Sequence, residues 1–376
     1  MDARRTMPGL NRRGFLTASA AAAAGLGAAA LAVPGTAVAG TAPGGPRPSG
    51  DSLTEAVLEA FQTYRLVGLG EAHGLQEHHD LLQTLISDPR LPEVVDDIVV
   101  QFGNALYQET IDTFVLDGQP VNDADLRPLW RNTMESPLRT WDEPVYEQFF
   151  RRVRAVNWTL PPSKRIRVLL GDPPIDWSTI TSQQQILPFA AQMETHPAAV
   201  VEQQVLAKGR RALLCYGAGQ LFHTDGNPST SVMVQLIEQK TGVRTYVIAD
   251  LLPLQGDPGG LGTELASYSR NTVIPAAGTW LGQFNAGYAT GGNIGPDGQV
   301  FNQLCGTPMG EVVDAGLYLG QPADLTASRP NPAIYLDPAY WAELERRNAI
   351  LGDHLDLNTY RQQQPPGYAA LSAAAC

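Results

Sequence analysis

A short segment, VGLGEAHGLQEHHDLL at residues 67–82, concentrates side chains that could do acid–base chemistry. It holds His73, His78 and His79, three of the six histidines in the chain. A neutral imidazole, whose ordinary pKa is about 6.5, can take a proton from water near neutral pH. Glu71, two residues before His73, could orient that ring and stabilise the imidazolium. The spacing predicts a water-activating pair, and the alternative is that both residues only cap the helix that follows.

His78 and His79 are neighbours in the helix predicted after this pair. Neighbouring helical positions point about 100° apart, so both rings cannot face one cleft. We expect one ring to pack against the sheet and the other to be solvated beside acidic neighbours.

Short apolar runs alternate with helix-like segments along the rest of the chain. The predicted strands are 65–70, 97–102, 166–171, 211–217, 244–249 and 315–319, and the predicted helices are 76–87, 104–116, 142–157, 180–207, 229–241 and 338–351. This alternation predicts an α/β fold, a three-layer α/β/α arrangement with a mostly parallel sheet and with helical and loop insertions.

Polar side chains follow nearly every predicted strand, and ligands of open parallel sheets bind beyond the carboxyl ends of the strands. Besides Glu71 and His73, these residues are Gln101, Asn104, Asp172, Gln220, His223 and Asp250. We expect them to share one cleft, with His223 as a third catalytic group and the others in substrate binding or support. His223, Gln220 or Arg139 would stabilise a developing oxyanion.

A metal site is the alternative for the same cluster. Glu71, His73 and His223 offer the nitrogen and oxygen ligands that suit a catalytic zinc or manganese ion. The spacing His-Glu-x-x-His, which places two ligands on one helix face, is not present in the sequence.

The amino-terminal part of the chain has the composition of a targeting signal. Residues 1–39 contain the pair Arg12-Arg13, an alanine-rich apolar stretch and a small-x-small site ending at Ala39. This layout predicts a twin-arginine export signal and a secreted or cell-envelope protein, with a retained membrane anchor as the alternative. Residues 40–52 are expected to be a flexible linker, rich in proline and glycine.

Residues 53–376 are expected to form a single α/β domain with insertions at 118–141 and 252–312. The second insertion is rich in glycine and proline, and we expect it to form a lid that determines which substrate is bound. The formal net charge of −12 disfavours nucleic acids and anionic membranes as partners, which leaves a small-molecule substrate or ligand. Of the three cysteines, Cys215 lies in an apolar run and is predicted to be a buried thiol, although a bridge to Cys305 is conceivable.

Three segments together resemble a known family: GEAHGLQEHHDLLQTLI, VVQFGNALYQETIDTFVLDG and VYEQFFRRVRAV, within residues 64–222. They resemble the ChaN-like haem-binding uptake proteins and, more distantly, the erythromycin esterases and Tiki-type metalloproteases. The resemblance implies an α/β/α fold with its pocket at the strand ends. It also places Glu71 and His73 on the family's glutamate and histidine, and in the esterase branch that histidine activates water.

Two positions depart from the family pattern. Gln101 stands where the second strand usually ends in glutamate, and His223 is the nearest histidine to Gln220, where the family has one close by. The resemblance leaves two functions open. One is a hydrolase of esters, lactones or amides, and the other is a haem- or iron-binding protein without turnover. For haem it implies an axial ligand, for which Tyr107 and Tyr146 have the right type, and a homodimer closing around the haem.

Overall fold

The structure is a computed structural model that describes residues 50–224, 226, 231–290, 293–294, 300–301, 303–368 and 376. The predicted export signal, and the predicted linker up to residue 49, lie outside these residues. Within them the chain forms ten strands, which are β1 (Asp51–Ser52), β2 (Leu66–Glu71), β3 (Asp97–Asn104), β4 (Arg167–Asp172), β5 (Ala212–Gly217), β6 (Thr245–Asp250), β7 (Thr272–Pro275), β8 (Asn293–Ile294), β9 (Val300–Phe301) and β10 (Ala315–Tyr318).

The described residues also form fourteen α-helices. They are α1 (Leu53–Thr63), α2 (Gln76–Ser87), α3 (Leu91–Val94), α4 (Gln108–Val115), α5 (Asp123–Leu126), α6 (Pro128–Arg131), α7 (Pro144–Trp158), α8 (Gln183–Ala190), α9 (Thr195–Val200), α10 (Ala218–Leu221), α11 (Met233–Thr241), α12 (Leu261–Leu265), α13 (Met309–Val312) and α14 (Pro338–Leu351). Helix α9 continues as a π-helical turn at Val201–Val205. Single 3₁₀ turns lie at Ala105–Tyr107, Pro162–Lys164, Leu206–Lys208, Trp280–Gln283, Ala286–Tyr288, Pro322–Asp324, Pro332–Leu336 and Leu357–Arg361.

Eight of the strands form one sheet in the order β1-β7-β10-β6-β2-β5-β3-β4. The six predicted strands are confirmed, and they pair in parallel. Strands β1 and β7 were not predicted, and they add an antiparallel edge. Strand β2 lies inside the sheet between β5 and β6, so Glu71 at its end has a strand terminus on either side.

Successive buried residues of the strands face opposite layers. In β5, Leu213 and Cys215 pack in one apolar cluster, and Leu214 and Tyr216 pack in another. The first face is covered mainly by α1, α2, α4 and α7, and the second by α9, α11, α12 and their neighbours. The predicted α/β fold with a mostly parallel sheet is therefore confirmed.

The predicted helix 180–207 is interrupted. Its chain forms α8 and α9 with turns at residues 191–194 between them, and Pro197, in the first turn of α9, has no N–H to donate to the carbonyl of Met193 as a continuous helix would require. The helix predicted at 338–351 has those bounds in the structure. Helix α1 was not predicted; Ser52 caps its first turn by accepting from the backbone N–H of Glu55.

The described part of residues 252–312 builds core. Leu261, Ile274, Leu281 and Met309 are buried in the cluster on the second face of the sheet. Glu71 belongs to the first face, where its carboxylate reaches α2 and α7. This placement does not support the predicted lid.

The sulfurs of Cys305 and Cys376 are bonded, and Cys215 is a buried free thiol. The prediction for Cys215 is confirmed, and burial raises the pKa of its thiol. The conceivable bridge between Cys215 and Cys305 is wrong, because Cys215 faces the core inside β5. In the described part of the chain, no helix combines the length and the apolarity needed to cross a bilayer.

Candidate active site

Glu71 ends β2 and binds two imidazoles with its two oxygens. Its Oε1 lies 2.7 Å from Nδ1 of His73, and its Oε2 lies 2.6 Å from Nε2 of His79. The first contact is a well-aligned hydrogen bond, whereas the second is an ion-pair contact without hydrogen-bond alignment. Glu71 and His73 therefore form the acid–imidazole pair that the sequence suggests, and we call these three residues the Glu71 cluster.

The charge of Glu71 is maintained by its partners. Burial by itself would raise the pKa of this carboxyl group, but the imidazoles of His79 and His73 hold it well below its usual range. An ionised carboxylate only accepts hydrogen bonds, so His73 must donate through Nδ1. Its other nitrogen, Nε2, is then the basic one.

The second nitrogen of His73 points toward the end of β5. A methyl group on Gly217 would lie 2.9 Å from Nε2 of His73 and 3.4 Å from Oε1 of Gln101. The N–H of Gly217 donates to Oε1 of Gln101 at 2.8 Å, so Gln101 fixes this strand end. The side chain of His73 is 11% exposed, while that of His79 is 2% exposed, so His73 is the imidazole that solvent or a ligand can reach.

His78 and His79 are both buried, so the expectation that one of them is solvated is wrong. The first turn of α2 faces the sheet, and each ring finds its own carboxylate. His79 binds Glu71, and Nδ1 of His78 lies 2.9 Å from Oδ1 of Asp250 at the end of β6. Burial lowers the pKa of His78, but the charge of Asp250 and its hydrogen bond reverse this, so the pKa is raised overall.

Asp250 also fixes the loop that carries the histidine. Its Oδ2 accepts from the backbone N–H of Ala72 at 2.9 Å, between Glu71 and His73 in the chain. Gly74 follows with a φ of 75°, a left-handed conformation that glycine adopts without steric cost. Beside it, the N–H of Ser328 donates to the carbonyl of Gly74. The loop is thus held on both sides of His73.

Residues 139–146 form an aromatic and cationic wall beside the Glu71 cluster. The ring of Trp141 contacts His73 edge-on at 4.9 Å between centroids, and the guanidinium of Arg139 lies 4.2 Å above Trp141. Arg139 also donates to the hydroxyl of Tyr146 at 3.0 Å, and that hydroxyl donates to Glu71 Oε1 at 3.2 Å. Trp141 has a φ of 51°, which is strained for a residue with a side chain.

Glu135 is a further acid at this site, and no pattern in the sequence indicates it. It is 4% exposed, and its carboxyl group makes no hydrogen bond to any described residue. Burial raises its pKa, while the charges of His73 and Arg139 lower it in part. The carbonyl of Glu135 accepts from the N–H of Arg139 at 3.1 Å, and Arg139 lies over the Trp141 ring that contacts His73. No strand or motif precedes Glu135, and in the sequence it is a single acid in the mixed polar and apolar segment RNTMESPLR, residues 131–139.

Asp172, at the end of β4, contacts the segment that carries Glu135. Its Oδ2 accepts from the N–H of Met134 at 2.8 Å, next to Glu135 in the chain. Burial raises the pKa of Asp172 well above its usual value, and the neighbouring Glu135 raises it further. Asp172 thus supports the loop that carries Glu135.

Three of the predicted site residues have other surroundings. Asn104 uses its side chain to bind the carbonyls of Asn132 and Ile175, which anchors loops. Gln220 contacts Glu194 on the second face of the sheet. His223 binds Asp314 at 2.8 Å and Glu238 at 3.3 Å.

The structure does not bring His223 to His73. Arg244, which precedes β6, contacts both His223 and Asp314, so this group lies at the amino-terminal half of β6. Glu71 lies at the carboxyl end of β2, beyond the opposite end of the parallel pair. The reason is that α10 is only one turn long, after which the chain runs back along the sheet. The expected shared cleft is wrong in this respect.

The residues present do not fit a metal centre. Among the described residues no three histidine, cysteine or acidic side chains are arranged to hold a metal ion. Glu71 already uses both oxygens for imidazoles, and His223 is remote from it. The haem ligand types are engaged as well, since Tyr107 accepts from Asn132 and Tyr146 is buried between Arg139 and Glu71.

No family model matches the chain, and a search of curated proteins finds no significant match. Several solved structures are similar to it. A Bacillus cereus protein is 12% identical with a TM-score of 0.49, over 71% of this chain and 91% of that one. A succinoglycan biosynthesis protein is 10% identical with a TM-score of 0.49, over 71% and 90%. The haem-binding ChaN of Campylobacter jejuni is 11% identical with a TM-score of 0.33, over 52% and 84%. These values describe a distant likeness in fold.

The arrangement at the strand ends can move protons. A carboxylate orients an imidazole whose side chain is 11% exposed, a guanidinium lies nearby, and no described residue donates a hydrogen bond to a second carboxyl group, that of Glu135. These are the parts that water activation, anion stabilisation and proton donation require.

Proposed function

We propose that this protein is a hydrolase in which His73 activates water for attack on an ester, lactone or amide. The observation that carries the proposal is the 2.7 Å contact between Glu71 Oε1 and His73 Nδ1, together with the 11% exposure of the His73 side chain. A carboxylate on one nitrogen fixes the tautomer and stabilises the imidazolium, which makes the other nitrogen an effective general base.

In the reaction, Nε2 of His73 takes a proton from water while the water oxygen attacks the carbonyl carbon. Glu71 stays ionised and balances the charge that forms on the ring. Negative charge grows on the carbonyl oxygen, and Arg139, over the Trp141 ring that His73 touches, is the nearby cation that would stabilise it. His79 and Tyr146 keep the Glu71 carboxylate in place and take no part in the proton transfer.

The experiment is a comparison of His73→Ala with the wild-type protein on a panel of esters, lactones and amides. General-base catalysis contributes about 10²- to 10⁴-fold, so we expect a loss of that size in kcat/KM. His354→Ala is the matched control, because His354 is an exposed histidine distant in the chain. Unchanged turnover in His73→Ala would remove His73 from the mechanism.

A visible spectrum with metal analysis separates this proposal from haem or iron binding without turnover. We expect a colourless protein, because Tyr107 and Tyr146 are hydrogen-bonded within the fold. We also expect its activity to survive chelators, because no three ligand side chains among the described residues are arranged around a metal position. A Soret band in the protein purified from its source would favour the haem-binding function, and stoichiometric zinc or manganese would favour a metallohydrolase.

We also propose that the protein is exported by the twin-arginine route. The paired arginines at Arg12-Arg13 and the alanine-rich stretch support this, and so does the disulfide of Cys305 with Cys376, since such bonds persist in oxidising compartments. The test is the location of the mature chain, with Arg12→Lys combined with Arg13→Lys as the variant. Export that survives the double replacement would contradict the route.

A further inference from the structure

Glu135 is 4% exposed, and no described residue donates a hydrogen bond to its carboxyl group. The carboxyl oxygens are not among the fully buried side-chain atoms without a partner, so the small exposed area of Glu135 includes them. The N–H of Met134 donates to Asp172, and Nη2 of Arg139 donates to Glu143 and Tyr146, whereas Nε of Arg139 has no hydrogen-bond partner among the described residues. The backbone places this acid beside the wall that contacts His73: the N–H of Arg139 donates to the carbonyl of Glu135 at 3.1 Å, Arg139 lies over Trp141, and Trp141 contacts the His73 ring.

The segment that carries Glu135 is held firmly on both sides. Asp172 binds the N–H of Met134 before it, and Arg347 of α14 donates to the hydroxyl of Ser136 after it at 2.8 Å. The same guanidinium binds the carbonyl of Arg131 at 2.9 Å and the side chain of Asn132 at 2.7 Å. A buried side chain fixed this closely, with its functional group left unpaired, is preorganised for an external partner.

We propose that Glu135 is the general acid of the hydrolysis, donating its proton to the leaving group. This inference rests on the proposed function of His73. The two groups have opposite roles: His73 removes a proton from water, and Glu135 supplies one to the departing oxygen or nitrogen. Asp172 is a positioning residue, because it acts through the backbone of Met134.

The steps balance. Water adds to the carbonyl carbon and its proton passes to Nε2 of His73. The bond from the carbonyl carbon to the leaving oxygen then breaks, and the proton of Glu135 goes to that oxygen to give the alcohol. The imidazolium of His73 returns its proton to the carboxylate of Glu135 through solvent, so that ester and water give acid and alcohol with no other reactant. Burial favours the protonated form of Glu135, which is the form this role needs.

The test uses two esters of one acid, a 4-nitrophenyl ester and a methyl ester, with the variant Glu135→Gln. The 4-nitrophenolate ion leaves without a proton, whereas methoxide needs one. We expect Glu135→Gln to lose about 10²- to 10⁴-fold in kcat on the methyl ester and to stay within a few-fold on the 4-nitrophenyl ester. Glu135→Asp, which keeps an acid, should recover part of the methyl-ester activity.

The outcomes separate the two proposals. Loss on both esters in His73→Ala, with selective loss in Glu135→Gln, supports both roles. Equal loss on both esters in Glu135→Gln, or no loss on either, overturns the role of Glu135 and leaves that of His73 intact. If the wild-type protein hydrolyses neither ester nor any lactone or amide, the proposed function fails and this inference fails with it. Glu109→Gln, an exposed glutamate on α4, is the matched control, and thermal unfolding of each variant checks the fold.

Discussion

The Oε2 atom of Glu71 lies 2.6 Å from Nε2 of His79, a ring that is sealed from solvent. The Oε1 atom of the same carboxylate binds His73. Glu71 therefore contacts one buried histidine, His79, and one partly exposed histidine, His73. His79 thereby keeps Glu71 charged in a buried position, which a single partially exposed histidine would do less well. The contact with His79 stabilises the ionised form of Glu71 and so allows a charged carboxylate to be buried beside His73.

Replacing Glu71 by glutamine should lower both the stability of the fold and the catalytic rate. Glu71→Gln removes the charge that opposes the His73 imidazolium and leaves His79 buried without its ion pair. Removing one partner of a buried pair costs about 3–5 kcal/mol of unfolding free energy, and we expect a value in this range from urea titration. In the folded fraction, kcat should fall by about 10²-fold or more. A Glu71→Gln protein with wild-type kcat would contradict the orienting role.

The His78–Asp250 pair should make stability depend on pH. The pKa of His78 is raised in the folded state, so its ionic contribution is fully present below the unfolded value of about 6.5 and is lost as the pH rises through the folded pKa. The acidic groups that act on His78 are Asp250 and Glu71. The pKa of Glu71 is lowered in the folded state, so the stability that Glu71 contributes is lost only at acid pH, as the pH falls through that folded pKa.

We therefore expect His78→Gln to lower the free energy of unfolding more at pH 6 than at pH 9. Denaturant titrations at both pH values measure this difference, with His354→Gln as the exposed control. An equal effect at the two pH values would mean that His78 is held in the core as a neutral ring.

Gly217 should be replaceable only at the expense of activity. A methyl group there would lie 2.9 Å from Cε1 and Nε2 of His73, closer than real contacts of this kind, so the imidazole must move. We expect Gly217→Ala to reduce kcat at least about tenfold, because small displacements of a general base are costly. Gly219→Ala, two residues along with open space around it, is the control and should retain activity. Full activity in Gly217→Ala would show that His73 does not need its present position.

Arg347 should act on catalysis from a distance. It is 2% exposed and ties α14 to the segment from Arg131 to Ser136. Arg347→Met should destabilise the protein by about 1.5–3 kcal/mol, the usual contribution of a hydrogen bond to a charged group. It should also slow methyl-ester hydrolysis more than 4-nitrophenyl-ester hydrolysis, since it loosens the support of Glu135. Arg152→Met, on an exposed arginine, is the control; a variant that loses stability but keeps the wild-type ratio of the two rates would limit Arg347 to a structural role.

The parallel strands and the pair of Glu71 with His73 could be predicted from the sequence. Buried strands of a parallel sheet are apolar on both faces, so they stand out as continuous runs, and the glycine-rich turn after β2 marks a strand end. Strands β1 and β7 could not be recognised, because edge strands two to four residues long carry too little pattern. Helix α2 was predicted at its observed bounds, but the burial of both His78 and His79 depends on carboxylates from β2 and β6 that are distant in sequence.

The position of His223 illustrates the limit of reasoning from strand exits. A residue six positions after a strand belongs to the carboxyl edge only if the chain stays there, and a one-turn helix followed by extended chain carries it away. Glu135 shows the opposite case. It comes to the site from an insertion, through contacts made by Asp172 and by Arg347, which is 212 positions further along the chain. Such assemblies depend on tertiary packing that no local pattern records.

The bond between Cys305 and Cys376 closes a ring of chain, with the two cysteines 71 positions apart, that contains β10 and all of α14. The arginine that steadies the acid-bearing segment is therefore part of a covalently tethered unit. A thiol reductant would open that ring and enlarge the conformational freedom of the unfolded chain. The oxidation state of these two sulfurs thus bears on how long the segment that carries Glu135 keeps its position when the protein is heated.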